Sequence, residues 1–304
     1  MKRPRVFEVI LHDVRYGGRT LRSNPGFTVV VVLTLALGIG ATTAIYSVVN
    51  NLLLNPIPGA APDRLVQIAE RMYTRGQFKE ENDKPFFCGV APPALEIISA
   101  NQSLFSGLTW ADSAFWERKT VDFTERVSGE WVGANFFSLL RASPMLGRTF
   151  MKEEAAPIDM NGLPERDAVM VLSYQGWQSK FGKDPKIVGQ TIELSGHHFT
   201  IIGVMPSSFQ FPWGGASFWV AGEPQRWGPG WGAGPNIRLF ARLKPGVTQR
   251  QAQAMLDVLA QRLAVDPRAA KSFGGDWNHR PGGLGFWMRP ARLVVTDGDC
   301  SGGE

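Results

Sequence analysis

The apolar run from Phe27 to Leu54 constrains this chain more than any other feature. Residues 23–62 contain no charged side chain, and eleven valine, leucine and isoleucine residues lie within residues 29–49. A bilayer core about 30 Å thick is crossed by roughly 20 apolar helical residues. Aliphatic residues at mid-helix each favour insertion by about 0.3–0.6 kcal/mol. The run therefore predicts one transmembrane helix over residues 27–54, represented by Phe27, Val32, Leu37, Ala44 and Val49.

Two other interpretations of the run are a buried helix in a soluble core and a cleaved signal peptide. Soluble core helices are usually shorter and carry a polar edge. A signal peptide has an apolar region of about 7–15 residues, which this run exceeds, and the 26 residues before the run are long for such a leader. An uncleaved membrane anchor fits the pattern better.

The charge at the two ends of the run predicts its orientation. Residues 1–26 hold six basic side chains against two acidic ones, and the first cations beyond the run are Arg64 and Arg71. The positive-inside rule therefore places residues 1–26 in the cytoplasm, and everything after about Asn55 outside the inner membrane. The residues of the basic flank nearest the span are Arg15, Arg19 and Arg22.

The net charge of +5 does not indicate a nucleic-acid-binding surface. Residues 1–26 contribute +4 of it, which leaves +1 for the remainder of the chain. Nucleic-acid binding calls for a basic patch on the binding domain itself, so this class of partner is excluded. Membrane lipid is the partner that the basic flank and the apolar run predict.

One segment before the predicted span and one group of residues within it each fit two interpretations. Residues 6–22 place apolar and basic side chains on different helical faces, which predicts an amphipathic helix at the membrane interface, with an ordinary solvated segment as the alternative. Within the span, Ala36, Gly40 and Ala44 fall four residues apart, a spacing that lets another helix approach closely. The alternative is that glycine and alanine are simply common in membrane helices.

Residues 55–265 predict one α+β domain of mixed strands and helices. The alternating or β-rich segments are 65–71, 126–132, 168–172, 191–194, 199–205 and 237–243, and the helical ones are 93–100, 135–140, 173–181 and 248–264. Ser173 is a candidate N-cap, Thr248 and Gln251 form a capping box, and Ser195-Gly196 predicts a hairpin turn. We expect the helices to pack to one side of the strands.

Residues 212–236 are rich in glycine, proline and tryptophan and fit two interpretations. One is an exposed loop that contacts a partner or the membrane interface. The other, which we favour, is an irregular lobe whose tryptophans pack on the sheet.

No motif for catalysis or cofactor binding is present. The chain lacks a P-loop, a G-x-S-x-G elbow and an H-E-x-x-H helix. His197 and His198 are adjacent in a predicted strand, so their side chains point to opposite faces rather than to one metal ion. Cys88 and Cys300 are too few and too far apart for a disulfide framework. The sequence therefore predicts no catalytic residue, no metal ligand and no cofactor, and hence no enzyme.

Three blocks of sequence resemble a known family. Residues 13–68, residues 167–212 (beginning DAVMVLSYQGWQSKFG) and, more weakly, residues 244–264 are similar to MacB/FtsX-type permease subunits of ABC transporters, in the family's order. The resemblance implies a cytoplasmic N-terminal segment, a span and a MacB-like periplasmic core domain. It also implies a separate ATPase subunit as partner and a homodimer or hetero-oligomer with another permease chain. The implied function is the transmission of ATP-driven motion for export or mechanotransmission.

The last part of the chain departs from that family. No second apolar run of spanning length follows residue 265, and residues 266–304 are rich in glycine, arginine and tryptophan without periodicity. We expect an irregular, disordered tail here and a truncated permease overall. The alternative function is a single-span periplasmic binding or scaffold protein that works without an ATPase. A membrane-anchored hydrolase is a third interpretation, supported only by scattered polar residues.

Overall fold

The computed structural model describes residues 22–49, 62–70, 89–120, 123–159, 162–212, 215–223, 237–266 and 285–291, with the side chains of 44–49 excepted. The chain forms two compact units, Met1–Leu54 and Asn55–Glu304. The first unit contains the apolar helix, and the second contains the α/β domain.

The apolar run forms helix α1, Pro25–Val49. Its window Pro25–Thr43 has a mean hydropathy of 2.0 and is long enough to cross a membrane, and none of it is buried. The hydroxyls of Thr34 and Thr42 donate to the carbonyls of Val30 and Gly38, each at 2.8 Å. These bonds satisfy the hydroxyls within the helix itself. The core helix of a soluble protein would be mostly buried, whereas no residue of this window is buried.

The α/β domain consists of eleven strands in one sheet and four helices among the described residues. The strands are β1 Leu65–Glu70, β2 Phe105–Lys119, β3 Thr124–Val132, β4 Leu146–Gly147, β5 Ala156–Pro157, β6 Ala168–Leu172, β7 Thr191–Leu194, β8 His197–Val204, β9 Phe218–Glu223, β10 Arg238–Leu243 and β11 Phe286–Pro290. The helices are α2 Pro92–Ala100, α3 Phe136–Leu140, α4 Tyr174–Phe181 and α5 Gln249–Ala264, and short 3₁₀ turns occupy Pro62–Arg64 and Lys152–Glu154. The expectation of an α+β domain is confirmed.

Four strands and two helices form a ferredoxin-like arrangement, here called the four-stranded unit. The chain runs β1–α2–β2 and later β10–α5–β11, and the sheet order is β11-β1-β10-β2 with every neighbouring pair antiparallel. Each β-α-β segment therefore encloses a strand of the other, which is the split βαβ pattern. Helices α2 and α5 pack against each other beside this sheet.

Local sequence explains most elements of the four-stranded unit. All six residues of β1 are buried. Helix α2 begins with two prolines, which fit a first turn that needs no N–H donors. Helix α5 begins at the predicted capping box, where Thr248 and Gln251 bond each other's backbone, and its buried face includes Leu256, Leu259 and Leu263.

The segment between β2 and β10 forms the second half of the sheet, here called the inserted lobe. It continues the order β2-β3-β9-β6-β8-β4, with β5 beside β9 and β7 beside β8. Strand β3 pairs with β9 in parallel, and β6 with β8 in parallel. The predicted β7–β8 hairpin turns at Ser195-Gly196, where both φ angles are positive at 51° and 81°. Two successive positive φ values are typical of a type I′ turn, whose twist matches the strands.

Alternation along the strands creates a core on each face of the sheet. In β10, Leu239 and Ala241 belong to one core and Phe240 to the other. The larger core contains Trp116, whose ring centroid lies 5.7 Å from that of Trp131 and 5.0 Å from that of Phe218. Helices α2, α4 and α5 contribute to this larger core. Helix α3 contributes to the other, so the helices do not all pack to one side as we expected.

The expectation of an irregular tail over residues 266–304 is wrong for Phe286–Pro290. These residues form β11, which pairs with β1, and Phe286 is buried in the larger core. The segment showed no periodicity because it is one short edge strand, and its partner lies early in the chain. Residues 267–284 and 292–304 lie outside the described residues, so the remainder of that expectation is not addressed.

Two further differences concern strands. Residues 212–236 were expected to be irregular, but Phe218–Glu223 form β9 with Trp219 fully buried, so this tryptophan does pack in the sheet. The structure does not describe Trp213, Trp227 or Trp231. Strand β2 was not predicted, because its mixed sequence carries polar and apolar residues without strict alternation. The expectations for residues 6–21, Cys88 and Cys300 fall outside the described residues.

Candidate functional site

The predicted membrane-facing residues lie on the surface of α1. Phe27, Val32 and Leu37 are exposed, Leu37 with 76% of its surface accessible. Ala44 and Val49 lie in the same helix, but their side chains are outside the description. A helix this long with exposed aliphatic side chains is suited to the hydrocarbon of a bilayer.

The predicted packing face and basic flank are only partly described. Ala36 and Gly40 are exposed, and a Cβ placed at Gly40 would meet no atom within 4 Å. A helix-packing role for this surface stays a prediction. Arg22 is exposed at the start of the described region, whereas Arg15 and Arg19 lie outside it.

A second candidate site is a group of buried polar side chains where the inserted lobe joins the four-stranded unit. This junction cluster consists of Ser113 on β2, Glu130 on β3 and Arg238 on β10, whereas Asp112, the residue before Ser113, points to the opposite face of β2. Arg238 Nη2 donates to Glu130 Oε1 at 3.0 Å, and both Nη atoms of Arg238 lie 3.2 Å from Ser113 Oγ. Glu130 and Arg238 are 2% and 5% exposed. The contact is therefore a buried ion pair between a strand of the unit and a strand of the lobe.

Strand register brings these side chains together. Ser113 is the cross-strand partner of Glu130, and Glu130 is in turn the parallel partner of Trp219 on β9. Arg238 is the first residue of β10 and pairs with Ala111, two residues before Ser113. Residues two apart on a strand share a face, so Arg238 reaches diagonally to Ser113 and Glu130.

Burial dominates the electrostatics of the cluster. It raises the pKa of Glu130 to about 7, against the opposing charge of Arg238, while the charge of Asp112 raises it further. Burial likewise raises the pKa of Asp112 to about 7, and Arg238 again opposes the shift. Glu130 Oε2 is buried without a hydrogen-bond partner among the described residues. Burial thus opposes the charged form of Glu130, whereas the charge of Arg238 and the indole N–H of Trp219 favour it.

Glu70 is a buried carboxyl of a different kind. It lies in β1, its Oε1 accepts from the backbone N–H of Ala91 at 2.9 Å, and burial raises its pKa to about 8. This contact ties the end of β1 to the start of α2. Glu70 therefore has a structural role and takes no part in the junction cluster.

The outer ends of β2 and β3 form a ribbon bordered by two clefts. One cleft of about 400 Å³ is lined by Glu117, Lys119, Glu193, Ser195 and Gly196. The other, of about 380 Å³, is lined by Phe115, Trp116, Glu117, Thr124 and Arg126. The guanidinium of Arg126 stacks 4.0 Å above the exposed ring of Phe115. Neither lining includes a histidine or cysteine, and the described residues hold no group of three or more potential metal ligands. His197 and His198 face no such group.

Sequence reasoning missed the junction cluster. Charged residues inside strands are normally read as pointing to solvent, and Glu130 and Arg238 are far apart along the chain. One signal was available: Arg238 and Arg242 interrupt the apolar strand Ile237–Leu243, and both are buried. Because a fully buried strand has no solvent face, an arginine within it requires a polar partner.

Comparisons with known proteins agree with the helix and the domain. The family model described as the MacB-like periplasmic core domain matches residues 28–259. No curated protein matches the chain significantly.

Three solved structures are similar to this chain at low identity. The periplasmic region of MacB from Actinobacillus actinomycetemcomitans is 11% identical, with a TM-score of 0.46 over 79% of this chain and 93% of that one. A domain of a putative permease from Porphyromonas gingivalis is 16% identical, with a TM-score of 0.47 over 77% and 91%. The extracellular domain of the ABC-type transporter YknZ from Gram-positive bacteria is 10% identical, with a TM-score of 0.43 over 73% and 99%.

The family match begins within α1 and ends within α5, so it spans the apolar helix and most of the described domain. It covers well over half of the 304 residues. The chain therefore belongs to the MacB-like periplasmic core domain family found in permeases of ABC-type transporters.

Proposed function

We propose that this chain is a permease subunit, or part of one, that holds its α/β domain outside the bacterial inner membrane by means of α1. In this role the domain transmits motion that a separate ATPase subunit drives from the cytoplasm. The chain itself has no catalytic role. The observation that carries the proposal is the family match, which includes the apolar helix and the domain in one continuous stretch.

The physical features of both units support this division of roles. Helix α1 supplies an uncharged surface long enough for lipid, and the basic residues before it favour a cytoplasmic N-terminus. The strands of the four-stranded unit and of the inserted lobe form one hydrogen-bonded sheet, with a hydrophobic core on each face. Since close-packed interiors transmit strain rather than absorb it, such a domain is suited to relaying movement.

A topology experiment tests the membrane arrangement. Gly246 lies in an exposed turn between β10 and α5, so a reporter inserted there should leave the fold intact. An alkaline phosphatase reporter at Gly246 should be active, and one fused to the N-terminus inactive. Replacing Arg15, Arg19 and Arg22 with glutamine should weaken this asymmetry. An inactive reporter at Gly246 with an active one at the N-terminus would contradict the proposed orientation.

A second experiment distinguishes the permease from the scaffold alternative. The chain is expressed together with candidate ABC-type ATPase subunits of the same organism and purified in detergent through a tag on the chain. Stoichiometric recovery of that ATPase supports a permease subunit. Recovery of the membrane-inserted chain without any ATPase favours a single-span scaffold protein instead.

A further inference from the structure

The strands of the inserted lobe run around part of the larger core and return to β2. The outer part of β2, from Ala111 onward, pairs with β3, and the order continues through β9, β6, β8 and β7, each neighbouring pair sharing a ladder of at least three residue pairs. All six strands contribute to the larger core, with Trp116, Val127, Phe218, Met170, Phe199 and Leu194. Strand β7 then lies beside β2, so the strands form a ring with one gap, here called the seam.

One residue bridges the seam with two hydrogen bonds. The backbone N–H of Ser195 donates to the carbonyl of Glu117 at 2.7 Å, and Ser195 Oγ accepts from the N–H of Glu117 at 2.9 Å. Within the part of the chain that the structure describes, these are the hydrogen bonds that join β2 to the β7–β8 hairpin. A hydrogen-bonded pair in an antiparallel ladder exchanges two such bonds. The hydroxyl of Ser195 therefore takes the place of a backbone carbonyl.

The turn alone does not explain a serine at position 195. Ser195 is the first of the two turn residues with positive φ, at 51°. Glycine, asparagine and aspartate are strongly preferred there, and another residue in this conformation is strained. Glycine would suit the backbone but has no side-chain acceptor for the N–H of Glu117. The two bonds across the seam therefore account for the serine better than the turn does.

Beside the bridge, the outer side of the seam is an open cleft. This cleft of about 400 Å³ is lined by Glu117, Lys119 and Glu193, together with the two turn residues. The two carboxylates carry like charge, which does not favour closure. On the inner side, Leu194 and Trp116 belong to the larger core and are buried. The seam is therefore closed by apolar contact inside and by the Ser195 bridge outside.

A second connection near the seam comes from the end of α4, the helix that precedes β7. Lys180 forms an ion pair with Glu125 of β3, and Arg118 of β2 donates to the carbonyl of Lys180 at 3.4 Å. The side chains of Lys180 and Glu125 are both partly exposed, and solvent weakens such pairs. Every other neighbouring pair of strands in the ring has a backbone ladder. The seam is therefore the weakest connection of the ring.

We propose that the inserted lobe separates from β2 at the seam, and that the Ser195 bridge sets how often this opening occurs. The β7–β8 hairpin moves away from the outer part of β2, while β6 stays paired with β8 and β9. The inference rests on the geometry of the lobe and does not depend on the proposed transport role. Local openings occur in the least stable part of a fold, and here that part is one residue wide.

The test uses the complete chain in detergent and hydrogen–deuterium exchange resolved to single amides. The amides of Glu117 and Ser195 bond each other's residues across the seam, whereas β6 lies between two ladders. In the unsubstituted protein, both seam amides should exchange faster than the amides of β6, after correction for intrinsic rates. Equal rates at the seam and in β6 would show that the lobe opens only as a whole, which would overturn the proposal.

The variant Ser195→Gly separates the bridge from the turn. Glycine suits the positive φ better than serine, so a residue that served only the turn would be improved by this change. The amide at position 195 still has the carbonyl of Glu117 as its acceptor, so its exchange reports opening rather than the lost bond. We expect this exchange to rise roughly two- to tenfold, the net effect of one hydrogen bond. Slower or unchanged exchange would contradict the proposal.

Ser128→Ala is the matched control. Ser128 lies on β3 of the same ribbon, and its hydroxyl also bonds a distant segment, donating to the carbonyl of Gly215 at 2.9 Å. It takes no part in the bridge, so exchange at both seam amides should stay as in the unsubstituted protein. An increase equal to that of Ser195→Gly would refute a specific role of the bridge. Equally faster exchange throughout β6 in Ser195→Gly would refute separate opening at the seam.

Discussion

The two halves of the domain's sheet are assembled from very different parts of the chain. In the four-stranded unit, β1 near the start pairs with β11 near the end, and Arg289 bonds Gln67 across 222 residues at 2.8 Å. In the inserted lobe, β7–β8 is a hairpin of neighbouring strands, and β3 forms a hairpin with β2 of the unit. The unit therefore depends on closure by a distant segment, whereas much of the lobe can form from local contacts.

Because of this difference, the two halves depend on different strand pairings to stay folded. Without β11, the fully buried strand β1 becomes an unpaired edge, and Phe286 leaves the larger core. Unpaired, apolar edges promote aggregation as well as unfolding. The lobe loses no strand in that case, so damage should begin in the unit.

The largest effect is expected from removing β11. A chain ending at Asp266 should lose most of the domain's stability, which for domains is typically about 5–15 kcal/mol. Denaturant unfolding in detergent, followed by tryptophan fluorescence, measures the loss. A chain ending at Ala291 is the control, because it keeps β11 and should unfold like the complete chain. Equal stability of the two truncated chains would show that β11 does not close the unit.

A smaller effect is expected in the ribbon formed by the outer ends of β2 and β3. Trp116 is 1% exposed and contacts three aromatic rings, whereas its neighbour Phe115 is 54% exposed. Trp116→Ala should destabilise the domain by about 3–5 kcal/mol, because a large cavity remains. Phe115→Ala should cost about 1 kcal/mol or less, since it loses only the stacked Arg126. Chemical denaturation of both variants measures the difference, and similar losses would contradict the assignment of the ribbon's two faces.

The smallest effects are expected at the helix caps, one in each half. Thr248 accepts from the N–H of Gln251 in the unit, and Ser173 accepts from the N–H of Gly176 in the lobe. Replacing either residue with alanine should cost about 1 kcal/mol. Thr248→Ser keeps the acceptor and should cost much less. Thermal unfolding measures both, and a loss at only one cap would contradict the similar contribution expected of the two caps.

The elements that could be predicted from sequence are those with a local signal. Helix α1 has uninterrupted hydrophobicity, α4 and α5 have caps at Ser173 and Thr248, and β7–β8 has its turn at Ser195-Gly196. Strands β2, β9 and β11 have no such signal. Their pairing partners determine them, and those partners were not known in advance.

The candidate sites likewise differ in whether a local sequence signal predicts them. The membrane-facing residues follow from composition alone, because lipid contact requires only length and an absence of charge. The junction cluster could not be found, since Ser113, Glu130 and Arg238 become neighbours only when β2, β3 and β10 pair. The pKa values of Asp112 and Glu130 are raised by burial in the sheet rather than by any property of the residue types.

The sequence by itself determined that this chain has one apolar helix of spanning length, a basic flank before it and a mixed α/β domain after it. These properties depend on hydrophobicity, charge and caps that act over a few residues. Only the tertiary structure decided that β11 closes the four-stranded unit and that Arg238 and Glu130 form a buried ion pair. The physical reason is that strand pairing and burial join residues far apart in the chain, and no local pattern records which of them will meet.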